Sequence, residues 1–353
     1  MKIIKSENGL QLTTTHEQED IVWFDAAKCD AFRIFGAAKV SPNYRRLPDD
    51  LAEQLRPELQ RLSLQTAGIR ARFWTDSPYI ALHIHWDLEK TATAPWRGMR
   101  GFDLYSIHNG KHAFETAFMP PLEYGPQMDY TYKTFGDLRE YLLNWPLYNY
   151  VDKVYIGLKA GSRLERGGGY HNELPVVFYG SSITQGAHAC RSGNAYQNFL
   201  SRALDMDYIN MGYSGNCKGD PILVDYMADL PMAAFVCDFD HNAANAEELE
   251  ERHYEVYRRI REKNPDLPYI MVTKPDYRQT NWNRKIVIME SYQKALATGD
   301  RNVYFIDGTG FFTGEEREAC TMDGTHPNDL GMYWMAQGMV HILRRILYGG
   351  GLY

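Results

Sequence analysis

Pro175-Val176-Val177-Phe178-Tyr179-Gly180-Ser181-Ser182-Ile183-Thr184-Gln185-Gly186 sets an unbroken apolar run against a turn of small and hydroxyl-bearing residues. A continuous apolar run of this length suits a strand buried on both faces, as in parallel sheets. The chain beyond Gly186 repeats the same grammar. Residues 195–204 have helical spacing, 207–211 read as a second strand and 221–230 as a second helix. Residues 233–237 are a third strand and 245–263 a long Glu/Arg-rich helix, a solvated face with i,i+4 pairs. Residues 269–273 form a fourth strand, 283–297 a helix, 303–306 a fifth strand, and 330–347 the closing helix. Five strands alternating with helices predict a parallel, doubly wound α/β sheet.

Upstream, residues 163–173 are polar and include Gly167, Gly168 and Gly169, which reads as a flexible linker. Before it the grammar changes. Ile80, Leu82, Ile84 and Trp86 alternate with Ala81, His83, His85 and Asp87, the period of a half-buried strand. Asn109-Gly110 lies between two strand-like runs and predicts a hairpin with a tight turn. Leu51, Leu55 and Leu59 suggest one short helix from Pro48, which Pro57 would kink or end. Short strands with few helices predict an antiparallel β-sandwich over residues 1–165, followed by the α/β domain over 174–353.

Composition narrows the partners. The chain has 353 residues, 44% hydrophobic and 24% charged, with a net charge of -7. That balance argues against a nucleic-acid or anionic-membrane partner. No apolar run reaches the roughly 18 residues of a membrane span. The start, Met1-Lys2-Ile3-Ile4-Lys5, turns polar at once and carries no signal-peptide stretch. Cys29, Cys190, Cys217, Cys237 and Cys320 are scattered and form no CxxC pair, so neither a disulfide framework nor a zinc ribbon is indicated. A reducing cytoplasm is the expected location.

Ligands of open parallel sheets bind beyond the carboxyl ends of the strands. There the sequence places Gly180-Ser181-Ser182, then Ser214-Gly215-Asn216, then Asp240-His241-Asn242, and finally Asp323-Gly-Thr-His326-Pro327. A serine hydroxyl is a weak nucleophile until a base takes its proton. His326 can be that base, and Asp323 can fix its tautomer and stabilise the imidazolium. The backbone N–H groups of Ser182 and Gly215 and the Asn242 amide can hold the oxyanion. Each piece alone has a plain explanation. Ser182 could cap a turn, Asp323 and His326 could open a helix, Ser214-Gly215-Asn216 could be a turn, and Asn242 could cap the helix near Asn245. Pro327 fits the first turn of the last helix. All four segments in this order at one rim point to acyl transfer through a serine nucleophile.

These residues resemble the four blocks of the SGNH, or GDSL-type, hydrolase family. Gly180-Ser181-Ser182 matches the nucleophile block, Gly215 the oxyanion glycine, Asn242 the oxyanion asparagine, and Asp323-x-x-His326 with Pro327 the last block. The resemblance covers residues 174–347 and implies a flavodoxin-like α/β/α fold. Gly101-Phe-Asp103-Leu-Tyr105 resembles the signature of the GxDLY domain that often precedes such a module and is similar to a jelly-roll sandwich. Two departures stand out. Ser181 replaces the usual Asp, and Asp240-His241-Asn242-Ala243 replaces Gly-x-Asn-Asp. His241 is either a second base or a structural or substrate-facing histidine, the latter preferred.

The resemblance implies ester hydrolysis and, for members with an added sandwich, removal of O-acetyl groups from carbohydrates. The expected partner is a small-molecule or oligosaccharide ester, with no cofactor and no metal. A thioesterase or lysophospholipase, or a carbohydrate-binding protein with a vestigial site, are the alternatives. Trp23, Trp74, Trp86, Trp96, Tyr124, Tyr130 and Tyr132 either stack on sugars or pack the core, with packing preferred. His83 and His85 share a strand face, but no third metal ligand is placed beside them. Lys274-Pro275-Asp276 follows the fourth strand without an assigned step. Cys217 and Cys237 read as small buried hydrophobes. The sandwich either lends contacts to the site or mediates pairing of two copies as a homo-oligomer.

Overall fold

The apolar run lies in strand Asn172–Gly180, where Val176, Val177, Phe178 and Tyr179 are all fully buried. This strand pairs in parallel with Met206–Gly212 on one edge and Ala234–Asp238 on the other. Tyr269–Val272 and Val303–Ile306 continue the parallel sheet to five strands. In chain order the strands therefore run 2-1-3-4-5, with the topological switch at Asn172–Gly180. Side chains alternate between two packed faces. Val176 and Phe178 join Ile183, Tyr196, Leu200, Met332, Met335 and Met339 in one core. Tyr179 meets the rings of Phe235 and Phe239, with centroids 6.4 and 6.1 Å away. Burying side chains of this size contributes about 1.5–3 kcal/mol each, which favours an unbroken apolar run at these positions.

The computed structural model describes residues 2–5, 9–38, 43–87, 98–121, 125–275 and 277–349. Trp96, Tyr124 and Asp276 lie outside the described residues. The chain forms two units: Met1–Pro48 with Leu64–Gly169, and Asp49–Ser63 with Tyr170–Tyr353. The stretch 1–165 is thus not one body, because Asp49–Ser63 packs with the parallel-sheet unit. The expected helix from Pro48 is two helices, Asp49–Ala52 and Pro57–Ser63. Pro57 opens the second, where its missing N–H costs nothing.

The first unit contains two larger antiparallel sheets. Arg70–Thr75, Phe102–His108 and Arg139–Asn144 belong to one, and Ile21–Asp25, Tyr79–Asp87 and Tyr150–Lys159 to the other. Phe73, Leu104 and Leu143 from the first share a buried core with Leu82, Ile84, Val154 and Ile156 from the second, which makes a sandwich. Trp23 and Trp86 are buried, so these two aromatics serve packing. Asn109 and Gly110, both at positive φ, form the two-residue turn between Phe102–His108 and Lys111–Phe118. His83 Nε2 and His85 Nε2 lie 2.9 Å apart, and His83 Nδ1 bonds Asp129 Oδ1 at 2.6 Å. That pair is a hydrogen-bonded chain in the sandwich.

The glycine-rich stretch at 163–173 is not a free linker. Leu164–Arg166 pairs with Arg70–Thr75, and Gly168 N–H donates to Glu140 Oε1 at 2.6 Å. Arg72 joins Glu140 in a buried ion pair and donates to Gly169 O at 2.8 Å. A Cβ on Gly167 would lie 2.1 Å from Arg72 O, so this glycine serves close packing rather than flexibility.

Candidate active site

Ser182 opens a single helical turn, Ser182–Gln185, directly after the switch-point strand. Ser181 caps it, its Oγ accepting from Ile183 N–H at 3.2 Å. The residue before the nucleophile position thus does a capping task that a serine performs as well as an aspartate. The turn sits hard against the sheet. A Cβ on Gly180 would lie 2.0 Å from Thr184 Oγ1, and one on Gly212 would lie 2.1 Å from Gln185 N. Glycine at both places lets the Ser182 turn settle onto the strand ends.

Residues 144 apart in the chain then meet: Ser182 Oγ lies 2.9 Å from His326 Nε2. His326 Nδ1 is 2.7 Å from Asp323 Oδ2, and His326 N–H donates to Asp323 Oδ1 at 2.7 Å. Partial burial works to raise the Asp323 carboxyl, but the His326 and Thr325 N–H groups and the His326 ring outweigh it and hold it at about 2. The carboxylate is therefore charged at any working pH. Asn328, not Asp323 or His326, caps the helix Asp329–Tyr348, accepting from Leu330 and Gly331 N–H. Pro327 precedes that cap rather than lying in the first turn.

The second loop is anchored along its length. Ser214 N–H donates to Gln185 Oε1 at 3.0 Å, Asn216 N–H to Tyr213 O at 2.9 Å, and Gly219 N–H to the Tyr179 hydroxyl at 2.9 Å. Gly215 sits between these anchors at φ +69°, a conformation that favours glycine. Among the described residues nothing accepts from its N–H. Asn242 Oδ1 accepts Cys217 N–H at 3.1 Å. Asn245, rather than Asn242, caps the helix Ala246–Lys263, so Asn242 is not a helix cap.

The residues on either side of Asn242, Asp240 and Ala243, are held by a buried arginine. Arg284 Nε donates to Asp240 Oδ1 at 2.7 Å, and its Nη2 donates to Asp240 O and to Ala243 O, the latter at 3.0 Å. Asp240 Oδ2 also accepts Lys274 N–H at 3.1 Å. His241 lies between. Its burial, opposed by Asp240 and reinforced by Lys274, His326 and Arg284, lowers it to about 4, so the ring is neutral at pH 7. Cys217 and Cys237 are buried, and burial pushes both thiols up, Cys237 to about 12, which leaves neither a thiolate.

Several contributors were not visible in the sequence. His188 follows the Ser182 turn at φ +67°, and its ring lies 5.0 Å from that of His326. His188, Asp323 and His326 could place three ligand atoms within 4.8 Å of one another. However, His326 already uses both ring nitrogens toward Ser182 and Asp323, an arrangement made for proton transfer rather than coordination. Gln185 is foreshadowed only by its place three residues after Ser182, one helical turn on. Arg56 reaches the Asn216 loop with no sequence signal at all.

Residues 173–344 match the model of the GDSL-like lipase/acylhydrolase family. Residues 21–164 match the N-terminal domain of SGNH-hydrolase-type esterases. No protein of curated function matches significantly. Among solved structures, a protein described as a GDSL-like lipase from Bacteroides ovatus is 28% identical, with a TM-score of 0.82 over 93% of this chain and 98% of that one. The salicylyl-acyltransferase of a tetracycline biosynthetic pathway is 18% identical, with a TM-score of 0.75 over 94% and 100% of the two chains. An acetyl xylan esterase from the rumen bacterium Butyrivibrio proteoclasticus is 13% identical, with a TM-score of 0.61 over 94% and 100%. The last two are likenesses of fold. The chain thus joins a GDSL-like, or SGNH, acylhydrolase domain over residues 173–344 to a GxDLY-type N-terminal domain over residues 21–164, and is a hydrolase acting on esters.

Proposed function

We propose that the protein is a serine esterase that removes short O-acyl groups, acetyl first among them, from carbohydrates through an acyl-enzyme. The single observation behind this reading is the continuous line from Ser182 Oγ to His326 Nε2 and from His326 Nδ1 to Asp323. In this reading Ser182 donates its proton to Nε2 as Oγ attacks the ester carbonyl. Asp323 accepts from Nδ1–H throughout and stabilises the imidazolium without itself taking the proton. The carbonyl oxygen becomes an oxyanion between the N–H groups of Ser182 and Gly215 and the Asn242 Nδ2 amide. Imidazolium gives its proton to the departing sugar hydroxyl, and the C–O bond of the ester breaks. Water, deprotonated by the now neutral His326, then attacks the acyl-enzyme and releases the acid and Ser182.

The carbohydrate side of the proposal leans on the fold shared with an acetyl xylan esterase and on the attached sandwich. Acetate release should be followed from acetylated oligosaccharides and from aryl acetate, butyrate and octanoate, for wild type and Ser182→Ala. Preference for acetate, turnover of the glycan and loss of activity in the variant are expected. An inert wild type, or a fully active Ser182→Ala, overturns the reading. Preference for octanoate replaces the acetyl esterase by a long-chain acyl hydrolase.

A further inference from the structure

Arg56 belongs by sequence to the sandwich half, yet Asp49–Ser63 is part of the parallel-sheet unit. There Arg56 engages the loop that carries Gly215. Its Nε donates to Asp220 Oδ1 at 2.6 Å and Nη2 to Asp220 Oδ2 at 3.1 Å, a two-pronged pair. The same guanidinium donates through Nη1 to Asn216 Oδ1 at 3.1 Å and through Nη2 to Asn216 O at 3.2 Å. Arg56 thus grips both the side chain and the backbone carbonyl of the residue after Gly215. Only a planar fork can satisfy four such acceptors at once.

What the grip holds matters more than its strength, because a pair one-third exposed on the Arg56 side contributes little stability by itself. Asn216 Nδ2 donates to Ser214 O at 3.0 Å, closing the loop around Gly215. The next residue, Cys217, donates its N–H to Asn242 Oδ1. On the far side, Ser214 N–H is tied to Gln185 Oε1 on the nucleophile turn. One chain of hydrogen bonds therefore links Arg56 to the Gly215 peptide and to the Asn242 amide. An oxyanion hole works only if its donors already point at the developing charge, and a misplacement of about 1 Å can cost 10²-fold.

We infer that Arg56 is a positioning residue of the active site, which fixes the Gly215 loop and, through Cys217, the Asn242 amide in their oxyanion-binding positions. It touches no substrate in this role. The inference rests on the esterase reading. It also gives a residue from the N-terminal half of the sequence a part in the chemistry of the parallel-sheet unit to which it belongs.

The test is steady-state hydrolysis of an aryl acetate by the full-length chain. Arg56→Lys keeps the charge near Asp220 but lacks the fork that spans Asp220 and Asn216. It should lower kcat roughly ten- to hundred-fold with little change in KM and leave the melting temperature near wild type. Affinity for a small boronic acid, which mimics the tetrahedral adduct on serine, should fall in parallel with kcat/KM. In Arg56→Ala, added guanidinium ion should restore part of kcat. It should restore none in Ser182→Ala. A purely structural Arg56 predicts a lower melting temperature with kcat and boronate affinity unchanged, and that result overturns the inference. Should Arg56→Ala not fold, Arg56→Lys decides alone. An inactive Ser182→Ala beside a fully active Arg56→Lys removes only Arg56. A fully active Ser182→Ala removes the esterase reading and this inference with it.

Discussion

Asn242 Oδ1 accepts the Cys217 N–H at 3.1 Å, and this one bond decides which end of the amide is left for a ligand. With the oxygen occupied, Nδ2 is the donor that remains, and among the described residues it has no partner. The bond also ties together two loops that leave different strands, the one that carries Gly215 and the one that carries Asn242.

Asn242→Asp separates these effects. It keeps an oxygen for Cys217 N–H but exchanges the Nδ2 donor for an anionic acceptor. The kcat for an aryl acetate should fall roughly 10²–10³-fold while the melting temperature stays near wild type. An unchanged kcat would take Asn242 out of the oxyanion role.

Asp323 and His326 should separate by degree. Asp323→Asn leaves the base in place with a poorer tautomer, at a cost of about 10⁴ in kcat, and His326→Ala should cost about 10⁶. Asp323 also leaves a signature in stability. Its folded-state carboxyl sits at about 2, below its ordinary value of 3.8, so its stabilising contribution is complete above about pH 4 and is lost as pH falls toward 2. The melting-temperature gap between wild type and Asp323→Asn should therefore be present at pH 6 and close near pH 2. A gap that persists unchanged at pH 2 contradicts this account.

Asp238, buried at the end of its strand, runs the opposite way. Burial pushes its carboxyl up to about 7, Asp240 adds to this, and Thr184 and Tyr196 oppose it. Thr184 Oγ1 donates to Oδ2 at 2.8 Å, while Oδ1 finds no partner among the described residues. Because the folded value lies above the ordinary 3.8, the unfolded chain loses its proton first. Stability is complete below about pH 4 and drains away as pH rises to about 7. Asp238→Asn should thus melt higher than wild type at pH 8, by roughly 2–4 °C for each kcal/mol relieved, and lose that advantage at pH 4. An advantage equal at both pH values would point to packing rather than charge.

Two glycines make a paired prediction. A Cβ on Gly212 would meet Gln185 N at 2.1 Å, whereas one on Gly215 would meet nothing within 4 Å. Gly212→Ala must therefore push the Ser182 turn off its strand and should abolish most activity. Gly215→Ala meets only the strain of φ +69°, about 1 kcal/mol, and should stay folded with a smaller loss. Equal effects in kcat and in melting temperature would show that the close approach at Gly212 does not set the turn.

The sheet and the Ser182–His326–Asp323 line were legible because each depends on local grammar. Val176 to Tyr179 suits a strand buried on both faces, and residues that come after parallel strands collect at one rim whatever lies between. Other features depended on partners far away in sequence. Gly167, Gly168 and Gly169 look like a hinge until Arg72 and Glu140 are seen against them. Pro57 looks like a defect in one helix until it proves to begin another. Arg56 is one more surface arginine until Asp220 and Asn216, more than 150 residues on, supply its acceptors. Periodicity carries no information about such pairings, which only the closed tertiary structure creates.

The placement of Asp49–Ser63 bears on how the chain is made and how it can be divided. Synthesis delivers this segment early, yet Asp220 and Asn216, which occupy Arg56, emerge long after it. The Gly215 loop is therefore bonded to a helical segment, Asp49–Ser63, that lies in sequence between two stretches of the first unit. A piece cut to begin at residue 170 would retain Ser182, Asn242, Asp323 and His326, and still lack the guanidinium that Asn216 accepts from beside Gly215.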